Sequence, residues 1–130
     1  MVRGSRALVP LLVVFGVTQL ALGLFLAIAP GTFFDVVGPF GTRNDHYMRD
    51  LATFYIALGL AGLLAVRRPA WRVPVLALAT IEFVLHALNH LADIGEADPK
   101  WNGPVTFAAV AASAALLGWM LWVAARDAGN

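Results

Sequence analysis

Thr80-Ile81-Glu82-Phe83-Val84-Leu85-His86-Ala87-Leu88-Asn89-His90-Leu91-Ala92-Asp93 is apolar enough for a membrane helix, yet it carries several polar and ionisable side chains. At about 100° per residue, with Glu82 at zero, His86 falls near 40°, Asn89 near −20°, His90 near 80° and Asp93 near 20°. The five lie within about 100° of arc, and Phe83, Val84, Leu88 and Leu91 cover the remainder. Ionisable groups on a lipid-spanning helix are costly and turn toward the protein interior. The stripe therefore marks both a buried helix face and the place where chemistry is expected.

Outward from this stretch the composition has the same character. Of 130 residues, 60% are hydrophobic and 13% charged, where a soluble domain carries about a quarter charged and about half apolar residues. The apolar residues come in blocks near the roughly 20 residues that a helix needs to cross a bilayer. Nine Lys plus Arg against eight Asp plus Glu leave a net charge of +1, which points to no nucleic-acid partner. The absence of cysteine removes disulfides, thiolate nucleophiles, thiolate zinc sites and iron–sulfur clusters. A metal would have to rely on His and carboxylate ligands.

The pattern predicts an all-α fold, a single transmembrane domain over 1–130 with helices over about 7–29, 45–66, 73–93 and 104–125. The first run imitates a signal peptide, but it is long for a signal core and Pro30 would follow the cut after Ala29, so a retained anchor is expected. Residues 30–43 hold Phe33, Phe34 and Phe40 among Gly and Pro, as in a hairpin dipping into the membrane interface. Asn44 or Asp45 is a good N-cap for the second helix, and Pro74 is tolerated in the first turn of the third. Arg3, Arg6, Arg67, Arg68, Arg72 and Arg126 fall on one side of this map, and Arg43, Arg49 and Lys100 on the other. The positive-inside rule then places both termini in the cytoplasm. Ala57, Gly59, Ala61, Gly62 and Ala65 of the second helix, with Ala111, Ala114, Ala115 and Gly118 of the fourth, form small-residue faces suited to close packing, within the bundle or in a homo-oligomer or larger membrane complex.

The second helix starts, and the third ends, at the same surface. His46, Asp50 and Thr53 share a face at i, i+4 and i+7, so His46, Arg49 and Asp50 are expected beside His86, Asn89, His90 and Asp93. Glu82 would form the floor of this cluster, with Gln19 of the first helix at similar depth. Three readings follow. His86 and His90, completed by His46 and by Glu82 or Asp50, can ligate Zn, Fe or Cu. Alternatively, a metal-free pocket between the second and third helices binds a small hydrophobic, quinone- or lipid-like ligand. Glu82, His86 and Asp50 would then be its acid–base groups, and Arg49, Asn89, His90 and Gln19 its binding groups. In the third, Arg49 and Asp50 pair with Asp93 and the histidines, and the network only fixes helix register, as in a non-enzymatic accessory subunit of a larger complex.

Leu20-Ala21-Leu22-Gly23 before Pro30, Arg49-Asp50 followed by Tyr55-Ile56-Ala57-Leu58-Gly59, and Arg67-Arg68-Pro69 together resemble the DoxX-like group of small four-helix bacterial membrane proteins. The resemblance implies a four-helix fold in a bacterial inner membrane, and named members are linked to quinone or thiol redox systems. His86 and His90 lie outside its motifs. In pairing His with Glu inside a membrane, the third helix is also similar, in a different order and spacing, to the four-helix sterol isomerase fold, which implies isomerase-type chemistry by analogy.

Overall fold

The computed structural model describes residues 3–129, with side chains from residue 7 onward, so the Arg3 and Arg6 side chains lie outside the described set. The chain is 84% helical and forms no strand among the described residues. It folds as α1 (Arg3–Ile28), α2 (Pro30–Val36), α3 (Asp45–Arg67), α4 (Arg72–Ala92) and α5 (Asn102–Ala128), with a single 3₁₀ turn over Pro69–Trp71. Four helices are long and apolar enough to cross a membrane: Ala7–Ile28, Asp45–Arg67, Pro69–Ala92 and Asn102–Ala128. They correspond to the four expected helices, with ends shifted by a few residues.

One element was not expected. Pro30–Val36 is a short helix rather than irregular hairpin. Pro30 occupies its first turn, where a missing N–H costs nothing and the fixed φ already suits a helix. The N-terminus of α3 follows expectation: Asn44 caps it, its side chain accepting from the backbone N–H of His46 at 3.1 Å and of Tyr47 at 3.3 Å.

The chain runs up and down, so one end of the bundle carries α2, the 37–44 segment and the α4–α5 connection. This is the loop end. The other, the terminal end, carries the Arg67–Arg72 turn and Arg126, whose guanidinium lies 3.9 Å above the Trp122 ring. At the loop end an antiparallel bridge joins Phe40 to Ala97, and the Asp98 N–H donates to the Pro39 carbonyl at 3.2 Å.

Packing divides the four long helices into two tight pairs, α1 with α3 and α4 with α5, whereas the α3–α4 and α1–α5 seams are thinly packed. Glycine explains the first pair. A Cβ on Gly59 would lie 2.6 Å from the Leu20 nitrogen and 2.8 Å from the Gly16 oxygen, so backbone meets backbone there. In lipid, where burial of apolar surface gives helices little reason to associate, such close approach is how dispersion holds them together. Gly59 and Gly62 of the α3 small-residue face are thus consumed inside the chain, while Ala57 stays exposed. At the terminal half the two pairs zip together through Leu8, Leu12, Leu58, Leu76, Met120 and Val123. At the loop half they diverge, and Leu26, Ala52 and Tyr55 form a separate small core with Phe33 and Met48 on the α1–α3 side.

Candidate functional site

Where the pairs diverge they enclose a cavity of about 750 Å³, within the range of about 300–1,000 Å³ typical of small-molecule sites. All four long helices and the loop end line it. Toward the terminal end its wall is apolar, with Leu11, Val14, Phe15, Leu117 and Met120. A polar band follows, with Thr18, Gln19, Tyr55, His86 and Ser113. Phe33, Phe34, Val37 and Phe40 overhang the loop end, and Asn89, His90, Asp93, Arg43 and Asn44 stand at that rim.

The α4 stripe does turn inward. His86, Asn89, His90 and Asp93 all line the cavity, as their helical spacing predicts. Glu82 itself is not in the wall but lies one turn behind it, with Oε1 3.5 Å from His86 Nδ1. His86 Nε2 is 3.0 Å from His90 Nε2, and His90 Nδ1 is 3.4 Å from Thr106 Oγ1 on α5. The Phe40 ring stands edge-on to His90, 4.9 Å between centroids. The groups form a line from Glu82 through two imidazoles to Thr106. Each imidazole nitrogen in that line is a donor or an acceptor according to its tautomer.

The Thr80, Thr106 and Ser113 hydroxyls are satisfied within their own helices. Thr80 donates to the Leu76 carbonyl at 2.7 Å, Thr106 to Asn102 at 2.8 Å and Ser113 to Ala109 at 2.8 Å. Gln19 Nε2, Glu82 Oε2 and His86 Nδ1 are different: each is buried and, among the described residues, has no hydrogen-bond partner. Gln19 is only 3% exposed and faces the cavity. Its depth can be read from the aromatic pair below it, since the Phe15 and Phe83 rings meet edge-on at 6.5 Å. Gln19 lies one turn beyond Phe15 and His86 about one turn beyond Phe83. Because α1 and α4 run in the same direction, the two stand at about the same level on opposite walls.

The expected contribution of the second helix is not found. His46 and Asp50 pair with each other at 3.5 Å on the exposed surface of α3, their side chains 80% and 66% accessible, and Arg49 is exposed too. None of the three lines the cavity. The reason is rotational. Gly59 and Gly62 must face α1, and that brings Tyr55 into the cavity wall and the exposed Leu51 and Tyr47 to its rim. His46 and Asp50, one residue earlier, are rotated by about 100° and Arg49 by about twice that. The site also spans the whole bundle, not only the seam between the second and third long helices. His46 is therefore not brought to His86 and His90, and among the described residues no group of three or more His, Cys, Asp or Glu is placed to hold a metal ion.

Several lining groups, Tyr55, Thr106 and Ser113 in the spans among them, escaped the sequence reading. Tyr55, Thr106 and Ser113 are ordinary helix residues, and only the i, i+4, i+8 series Tyr47, Leu51, Tyr55 hinted at an inward face. At the rim, Arg43 forms a two-point contact with Asp45, its Nη2 3.0 Å from Oδ2. The hydrogen bond to Asp45 first, and its charge second, hold the guanidinium proton more firmly than usual.

No protein-family model matches the chain, and neither a curated protein nor a solved structure shows significant similarity to it.

Proposed function

We propose that the chain is a multi-pass cell-membrane protein that binds a small hydrophobic molecule bearing a polar oxygen, of quinone or lipid type, in the cavity between its two helix pairs. One observation carries this reading: the buried Gln19 amide presents an unused donor to an otherwise largely apolar cavity. A polar group without a partner costs several kcal/mol in a lipid-like environment, about 2–7 depending on reference state. A ligand oxygen at that point removes the cost. His86 lines the same band and Glu82 stands one turn behind it, which puts an imidazole backed by a carboxylate beside the ligand.

The arginines of the Arg67–Arg72 turn and Arg126 support a cytoplasmic terminal end, so the Asn89–Asp93 rim faces outward. The rival reading, an accessory subunit in which polar groups only fix register, leaves the orphaned Gln19, Glu82 and His86 atoms without a role. Gly59 and Gly62 of the α3 small-residue face already meet α1 and are not open to a partner.

The test is to purify the protein from native membranes in lipid nanodiscs, extract it and quantify small molecules by mass spectrometry. A stoichiometric non-phospholipid compound present with the wild type and lost with Gln19→Leu supports the proposal. Identical extracts from both proteins refute it.

A further inference from the structure

Lining the cavity does not by itself expose a side chain. Leu117 and Met120 line it and are 3% and 1% exposed, as hidden as Gln19. Val14 of α1 and Leu116 of α5 line it at 61% and 45% exposed. Thr18 and Ala109, also in the lining, are exposed with them. These four residues mark a place where the cavity opens outward.

Helical phase locates that opening. Gly16 meets α3, where its Cβ would lie 2.9 Å from the Leu63 nitrogen. Val14 and Thr18, two residues to either side of it, are turned about 160° away from that contact. On α5, Gly118 faces Thr80 of α4, and Leu116 and Ala109 are turned about 160–180° from it. Both flanks therefore border the thinly packed α1–α5 seam. The Ser113 hydroxyl at the same seam donates within α5, to the Ala109 carbonyl at 2.8 Å, and does not bridge to α1. Thr18 stands about ten residues, or about 15 Å of helix, from Ile28 at the end of its span, near the middle of a hydrocarbon core about 30 Å thick.

The loop end is built differently. The Phe40–Ala97 bridge and the Asp98 N–H to Pro39 carbonyl bond tie the 37–44 segment to the α4–α5 connection, and the Phe40 ring rests edge-on against His90. A molecule entering there must displace that strap. One entering between α1 and α5 displaces only lipid, and one residue beyond Thr18 it reaches the unused Gln19 Nε2 donor.

We infer that the cavity exchanges its ligand with the bilayer core, not with the aqueous phase, through a lateral portal between α1 and α5 framed by Val14, Thr18, Ala109 and Leu116. A charge at that depth is costly, so the portal selects molecules that dissolve in hydrocarbon. This inference rests on the proposed cavity function and adds the route and the phase from which the ligand comes.

Time-resolved photolabelling of the full chain in nanodiscs tests it. The probes are a diazirine-bearing benzoquinone with a decyl chain and a diazirine-bearing monoacylglycerol, flashed at increasing times after mixing or after a chase with unlabelled compound. Ala109→Trp and Val14→Trp plug the portal at two exposed positions, either of which decides the question once circular dichroism shows the variant folded. Each should slow uptake and release together by about tenfold, with Kd within about twofold of wild type, because a plug raises the barrier in both directions without altering the bound state. Thr42→Trp, at the exposed loop-end rim, should leave both rates unchanged. Wild-type rates in the plugged variants, a change confined to Kd, or slowing by Thr42→Trp alone overturns the portal and leaves the cavity function standing. Absence of saturable labelling of the wild type by either probe overturns both.

Discussion

Replacing Gly59 by alanine tests whether the α1–α3 pair is held by backbone contact. The added Cβ would sit 2.6 Å from the Leu20 nitrogen and 2.8 Å from the Gly16 oxygen. Neither neighbour is a flexible side-chain tip, so the helices themselves must part. Reaching an ordinary separation of about 3.4 Å requires a movement of about 0.8 Å, and a gap of 0.5–1 Å forfeits a quarter to a half of each dispersion contact along the seam. Overpacking of this kind costs about 1–3 kcal/mol, which outweighs the gain of about 1 kcal/mol that alanine brings to an exposed helix interior. Reversible unfolding in mixed detergent micelles, followed by circular dichroism, reads the difference. Gly118→Ala is the matched control, because its Cβ would come no closer than 3.8 Å to Thr80, and Gly95→Ala meets nothing within 4 Å. Destabilisation by Gly59→Ala alone is expected. A Gly59→Ala protein as stable as wild type would refute the contact and, with it, the rotation of α3 that turns His46 and Asp50 outward.

Three further outcomes follow from the same geometry. In ligand-stripped protein, Gln19→Leu should raise unfolding stability by about 1–3 kcal/mol by removing an unsatisfied buried amide, although it lowers ligand affinity; a loss of stability would show that Gln19 is already partnered. Asn44→Ala should cost about 0.5–2 kcal/mol, the worth of an N-cap, with hydrogen exchange accelerating at His46 and Tyr47, whose N–H groups it satisfies. His46→Ala and Asp50→Asn should leave the co-purified small molecule unchanged in extracts, since both side chains point away from the cavity, while His86→Ala should reduce it.

Much of this was legible along the chain. Span number and length follow from hydropathy, because a helix satisfies its own backbone in lipid and needs no distant partner to do so. The Asn44 cap and the inward arc from His86 to Asp93 are equally local, set by 3.6 residues per turn within one element. Gln19 could be singled out as a polar residue at mid-span.

What the tertiary structure alone decided is how each helix is rotated and which helix it touches. His46, Arg49 and Asp50 look like members of the polar cluster until Gly59 meets Leu20 and turns α3 the other way. Tyr55 and Thr106 look like packing residues until α3 and α5 close around the cavity. Pairing of α1 with α3 and of α4 with α5 leaves space between them only at the loop half, because Leu8, Leu12, Leu76 and Met120 fill the terminal half. Such contacts join residues dozens of positions apart and depend on shape at the scale of a single Cβ. Periodicity within one helix carries no information about them.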